Sequence, residues 1–154
     1  MLDPETTAFL QTGCALIVGT VGPDGAPHAG RAWGLEVLEP GPTPRVRLLL
    51  DVDDEQTIDH LAGLGAVAIT ATSVRTLAST QLKGRSLGLD DERDGDRELL
   101  ERYVDQFFRD IAETDGTPLD LLDTFRPFGH VPCLVEVRER FVQTPGPGAG
   151  ARVR

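Results

Sequence analysis

The run CALIVGT and the run ending in GLEVL are separated by Pro23-Asp24-Gly25, and this turn constrains the fold more than any other stretch of the chain. A PDG between two strand-forming segments suits a tight hairpin loop, so the segments are antiparallel neighbours. The first strand is expected over Cys14 to Thr20. The second is expected over Pro27 to Leu38, with an inner face set by alternation of Trp33, Leu35 and Val37. The linker EPGPTP then leads to RVRLLLDV, in which Arg45 and Arg47 alternate with Val46 and Leu48. These three strands make an antiparallel meander.

The segment DDEQTIDHLAGLG has acidic capping residues, Ile58 and Leu61 at helical spacing, and terminal glycines, so it reads as a short helix. AVAITATS and TLASTQLKGRSLGL return to strand chemistry. Asp94 to Glu113 is the clearest helix. Leu99, Leu100, Tyr103, Val104, Phe107, Phe108 and Ile111 form its apolar stripe, with Arg97/Glu101, Glu98/Arg102 and Asp105/Arg109 paired outside it. A second short helix is expected at Pro118 to Asp123, and a last strand at CLVEVRERFVQT. The strands outnumber the crossovers a parallel sheet would need, which predicts a mainly β chain of the α+β class: a small antiparallel barrel of six strands with helices outside. Residues 1–142 are expected to form one domain, and 143–154, PGPGAGARVR with its two preceding residues, a Pro/Gly-rich tail.

At 154 residues a single apolar core can close without metals or disulfides. No apolar run approaches the roughly 20 residues that span a bilayer. The opening MLDPETTAFLQTG carries acidic groups where a secretory signal carries basic ones, so the expected location is cytoplasmic, with no membrane partner. Cys14 and Cys133 lie far apart in apolar strands and are expected to be free thiols. His28, His60 and His130 are scattered and no CxxC occurs, so no metal site is expected. The formal net charge of −10 opposes binding to nucleic acid. DDERDGD (90–96) and DVDDE (51–55) read as solvated loop or helix-start charges.

No GxSxG, HExxH or phosphate-loop pattern occurs. Polar residues on expected strands are the remaining signal. Arg31 and Trp33 share one face of the second strand, and Ser79, Gln81 and Lys83 share one face of the fifth. Amide and cationic donors beside an aromatic ring suit a flat, hydrogen-bonding, anionic ligand; the bland reading is that both faces meet water.

With these residues in place, ALIVGTVGPDGAPHAGRAWGLEV, VRLLLD, AVAITAT and TLASTQLKGR resemble the pyridoxamine 5′-phosphate oxidase-related family, the FMN-binding split β-barrels. The likeness covers Phe9 to Arg85, and HVPCLVEV and TPGPGAG more loosely. It implies a homodimer holding FMN in a groove between subunits. Arg31 and Trp33 fall on the strand that lies along the flavin, Gln56 and Thr57 at the helix start that approaches the phosphate, and Gln81 and Lys83 on the strand that touches ring or phosphate. Ala26, Ala29, Gly30 and Ala32 would leave room for the cofactor. One departure is plain: many flavin-binding relatives carry a lysine near that helix start, whereas here Asp51, Asp53, Asp54 and Glu55 surround Gln56 and Thr57. Phosphate binding would then depend on Arg31, Lys83, Arg45, Arg47 or Arg75. The resemblance implies an FMN-dependent oxidoreductase acting on a small-molecule substrate or reductant. The alternatives are a non-enzymatic barrel holding haem or another ligand, and a structural dimeric partner.

Overall fold

A computed structural model of the chain describes residues 2–153. In chain order the elements are α1 (Pro4–Leu10), β1 (Ala15–Val21), β2 (Pro27–Glu39), β3 (Arg45–Asp51), α2 (Glu55–Ala62), β4 (Ala66–Thr72), β5 (Ser79–Leu89), α3 (Asp96–Asp115), α4 (Leu119–Asp123), β6 (His130–Val142) and β7 (Arg152–Val153). All strand pairs are antiparallel and follow the order β3-β2-β1-β4-β5-β6-β7. A further β3–β6 pairing closes six of them into a barrel, as expected from the alternation of short strands. The Gly25 backbone lies at φ +80°, which the hairpin turn requires and glycine supplies without strain.

Alternation sends Leu16, Val18, Val46, Leu48, Leu50, Val67, Ile69, Leu82, Cys133 and Val135 into the barrel, where they are buried. Each such side chain stabilises the fold by roughly 1.5–3 kcal/mol relative to exposure. Leu10 of α1 and Leu61 of α2 join the same core. The short helix α1 was not expected from the sequence. Its cap is nevertheless local: the Asp3 carboxylate accepts the Thr6 amide at 2.7 Å, and Pro4 opens the helix.

A second, outer core lies between α3 and the barrel wall, built from Trp33, Leu49, Leu100, Val104, Phe107, Phe108 and Leu122. This corrects the expected inner face of β2. Ala32 pairs with Leu50 and Gly34 with Leu49, leaving Trp33 as the extra residue of a β-bulge. Ala32 and Leu35 therefore point inward, whereas Trp33 packs outside against Phe107 and Phe108. Tyr103, read as part of the helix stripe, reaches the inner core and donates its hydroxyl hydrogen to the Leu10 carbonyl at 2.7 Å.

Two charge readings also change. Of the three helix pairs, Arg97–Glu101 forms at 3.1 Å, while Asp105 instead pairs with Arg126, 2.7 Å away. DDERDGD is not simply solvated: Asp90 and Asp96 clamp Arg47, which is 1% exposed. Arg47 Nε donates to Asp90 at 2.7 Å, Nη2 to Asp96 at 2.7 Å, and Nη2 also to the Asp91 carbonyl at 2.9 Å. The residues after β6 turn back through Gly150 so that β7 pairs with β6, Phe141 opposite Arg152. Cys14 and Cys133 are free and buried, and burial pushes the Cys14 thiol up to about 11.

Candidate functional site on the open barrel face

The outer surface of the barrel has two halves. Helix α3 covers β2 and β3, whereas Ile17 of β1 and Lys83 of β5, pointing outward in the middle of the sheet, are exposed. The register puts Arg31, Ile17, Thr70, Gln81 and Phe141 in one outward row across β2, β1, β4, β5 and β6. The next row is Ala29, Gly19, Ala68, Lys83 and Glu139. The three small residues Ala29, Gly19 and Ala68, at the β2 end of that second row, make a smooth floor, and a groove of about 490 Å³ runs over Gly19, Ala68 and Lys83.

Strand pairing holds the polar residues along this floor. Gln81 Nε2 donates to Thr70 Oγ1 at 2.9 Å, which fixes the amide and leaves its oxygen facing only Gln143 at 3.5 Å. Lys83 Nζ lies 4.7 Å from the Phe141 ring centroid. Arg31 is exposed at the border with α3, its guanidinium 5.6 Å from the Trp33 ring and 6.0 Å from Phe107. Among the described residues neither cation has a carboxylate within salt-bridge distance.

Trp33 does share the outer face with Arg31, but its ring is 8% exposed, packed on Phe107 and Phe108, with Nε1 donating to Asp51 at 2.8 Å. The ring orients Arg31 from beneath. Of the four small residues expected to make room, Ala29 lies on the open face. Gly30 and Ala32 point the other way, and Ala26 belongs to the turn. A β-carbon on Gly30 would overlap the Asp54 carboxylate, so this glycine makes room for α2 rather than for a ligand.

At the α2 start, Gln56 is exposed and Thr57 is fully buried. The Asp54 carboxylate caps the helix, accepting the Thr57 amide at 3.1 Å and the Thr57 hydroxyl at 2.6 Å, and meets His28 Nε2 at 2.9 Å. Burial pushes the Asp54 pKa up, but the Thr57 hydroxyl, the Thr57 amide and His28 outweigh it, and the carboxyl ends below its ordinary value. A fixed anion therefore occupies the position where the family resemblance puts a phosphate. The flat part of a flavin fits the smooth floor, the Lys83 donor and the Gln81 amide oxygen; its phosphate does not fit the α2 start. Arg47, with three carboxylate and carbonyl acceptors, and Arg75, bound to Glu113 and Asp110, are already committed, and Arg45 pairs loosely with Glu39 at 3.5 Å. Arg31 and Lys83 remain.

The pairs His28–Asp54 and His60–Thr20, the latter at 2.8 Å, were not anticipated from the sequence. Both link residues distant in the chain, and the only local signal was Asp54 in a capping position.

No family model and no curated protein matches the sequence. Solved structures do. The chain is similar to HupZ of Group A Streptococcus at 17% identity, covering 97% of this chain and 100% of that one with a TM-score of 0.58. It is similar to a candidate pyridoxamine 5′-phosphate oxidase of Lactobacillus delbrueckii at 17% identity, over 92% and 93% of the two chains, with a TM-score of 0.55. An F420 reductase matches at 14% identity over 86% of this chain and 93% of its own, with a TM-score of 0.54. With its six-stranded closed barrel, open outer face and flanking helices, the chain has the fold of the pyridoxamine 5′-phosphate oxidase-like split barrels.

Proposed function

We propose that this chain is a flavin-binding oxidoreductase that works as a homodimer, its cofactor lying on the open face of β1, β4 and β5. The observation that carries this reading is the pair of unpaired cations, Arg31 and Lys83, bordering a floor of glycine and alanine in a protein of net charge −10. FMN is the first candidate, and the deazaflavin F420 follows from the reductase with the same fold. Either would supply hydride transfer once bound.

The chain's own residues would bind and orient. Gln81 would present its amide oxygen to a ring N–H, Lys83 would donate to a ring carbonyl or a phosphate, and Arg31 would hold the anionic end. Trp33 would act through Arg31, keeping the guanidinium flat over aromatic carbon, and Gln56 and Thr57 would border the ligand without gripping its phosphate. A groove open along one side needs a second wall, which a second copy of the chain supplies by a self-complementary surface.

Fluorescence titration of FMN, with F420 in parallel, tests this. Removing a charge-assisted contact to a desolvated anion costs on the order of 2–5 kcal/mol, so Arg31→Ala should weaken binding by well over tenfold while Arg97→Ala, on the exposed side of α3, leaves it unchanged. Equal affinity in all three proteins would refute the Arg31 assignment, and no affinity of the folded parent for either compound would refute the flavin reading. Light scattering that finds a monomer at micromolar concentration with ligand present would refute the shared groove.

The acidic α2 start favours a second reading, a non-enzymatic barrel binding haem or another ligand without the usual phosphate contact. A Soret band in the purified protein would select it.

A further inference from the structure

On the side of the barrel where β1 turns into β2 and α2 ends, a second pocket of about 510 Å³ is lined by His60, Arg85 and Arg138, with Val21, Gly22 and Asp59. We propose that it is an oxyanion-binding site, taking a phosphate or carboxylate group of a small ligand. The inference stands on the pocket's own residues and needs no flavin.

Three separate features of the backbone aim charge into this pocket. The first is a bulge in the β5–β6 ladder. Lys83 pairs with Glu139 and Gly84 with Val137, so Arg138 is the extra residue, and its side chain lines the pocket. Bulges re-aim side chains in this way. The crossing is so close that a β-carbon on Gly84 would overlap the Glu136 carbonyl oxygen. Only glycine lets β6 approach far enough to present Arg138 there.

The second feature is Leu64, held in the left-handed region at φ +60° between Gly63 and Gly65. A leucine in that conformation is strained. It turns the Leu64 carbonyl toward Arg85, whose Nε donates to it at 2.9 Å. Arg85 is thereby oriented through one nitrogen, with both terminal nitrogens left for a ligand.

The third is the His60 ring. Buried Thr20 meets its Nδ1 at 2.8 Å, and the His28 ring stands edge-on with centroids 6.1 Å apart. Its Nε2 lies over Gly22, where a β-carbon would come within 2.9 Å, and makes no hydrogen bond among the described residues. In the tautomer in which the Thr20 hydroxyl donates to Nδ1, Nε2–H is a donor facing the pocket.

Charge favours an anion here. Among the described residues Asp59 is the one carboxylate lining the pocket, against the guanidinium groups of Arg85 and Arg138, with the Asp24 carboxylate at its edge beside Gly22. Glu136 engages Arg138 only through Nε, at 3.0 Å, leaving the terminal nitrogens free for bidentate contact. Val21, Ala66, Gly84 and Arg138 line both this pocket and the groove on the open face, so the two are continuous. A ligand on that floor could place an acidic arm beside His60.

The test is a titration of the flavin-free protein with inorganic phosphate and, separately, with glutarate, at constant ionic strength. It reads the His60 ring and the Arg85 and Arg138 Nε resonances by NMR. Saturable shifts of all three groups are expected. Arg138→Gln and Arg85→Gln, with melts confirming folding, should each raise the midpoint about fivefold or more, and Arg97→Gln, on the exposed side of α3, should leave it unchanged. Tighter binding of phosphate assigns a phosphoester ligand, and tighter binding of glutarate a carboxylate. Shifts reproduced by chloride, absence of saturation with both probes, or an unchanged midpoint in Arg138→Gln would overturn the site. A protein that binds phosphate but no flavin keeps this site and loses the function proposed above.

Discussion

Arg47 and Arg31 sit on neighbouring strands, both pointing out of the barrel, and they have opposite surroundings. Arg47 lies under the N-terminal end of α3, without solvent exposure, and is held by Asp90, Asp96 and a backbone carbonyl. Arg31 lies past the covered region, resting on aromatic faces, and among the described residues no carboxylate comes within salt-bridge distance of it. The first is structural because every donor that matters is satisfied within the chain. The second is available to a ligand because none is. The difference shows that a strand cation has to be read with its partners, and in a sheet those partners come from remote sequence.

The contrast is easiest to break at Arg47. Replacing it with leucine leaves the buried Asp96 carboxylate without its cation, while Asp90 keeps only its half-exposed pair with Arg93, which should cost about 3–5 kcal/mol in urea unfolding. Arg31→Ala, measured the same way, should stay near the parent. If the two variants lose similar stability, the division between structural and available cation fails.

Acid sharpens the same comparison. The Arg47 guanidinium donates to Asp96 and holds its carboxyl at about 2, against an ordinary 3.8, with burial opposing. A carboxyl whose folded pKa is lowered contributes stability above its unfolded value and loses it as pH falls toward the folded one. Between about pH 4 and pH 2 the protein should therefore lose roughly 2 kcal/mol from this group. Denaturant midpoints across that range should fall, and should fall less in Arg47→Leu. An equal acid response in both proteins would show that the clamp is not what titrates.

Two smaller effects follow. Arg31→Ala removes exposed cation–π contacts with Trp33 and Phe107, worth about 0.5–1 kcal/mol of stability. A larger loss on thermal unfolding would mean that Arg31 helps seat α3. Arg97→Ala removes one exposed pair with Glu101 and should change stability by about 0.3–0.5 kcal/mol, a reference for charges that do little.

How legible these features were depended on whether their causes are local. The β1–β2 hairpin is written in its turn, and α3 in its stripe, so both could be read from consecutive residues. The α1 cap was equally local, Asp3 before seven helical residues that open with Pro4, but its stripe is too short to stand out. Arg45 and Arg47 look alike in RVRLLLD. Only the packing of α3, more than forty residues on, separates an exposed cation from a buried one. The same applies to the site. Arg31, Gln81 and Lys83 were recognisable as polar residues on strand faces, but the direction of Gly30 and Ala32 depended on pairing. The pocket at His60 depends on a bulge and a strained carbonyl that no spacing announces.

The extra residue at position 33 has one more consequence. Because strand side chains change sides at every step, β2 counts as even on one side of the bulge and odd on the other. Deleting a single residue there would not merely shorten the strand. It would restore unbroken alternation from Pro27 to the next register shift after Val37, so that residues 27–32 and the segment from Gly34 to Val37 could no longer both keep their present sides. Either Arg31 would turn into the apolar interior or Leu35 would turn out of it. For this protein the length of β2 is as much a determinant of its surface chemistry as the identity of any residue on it.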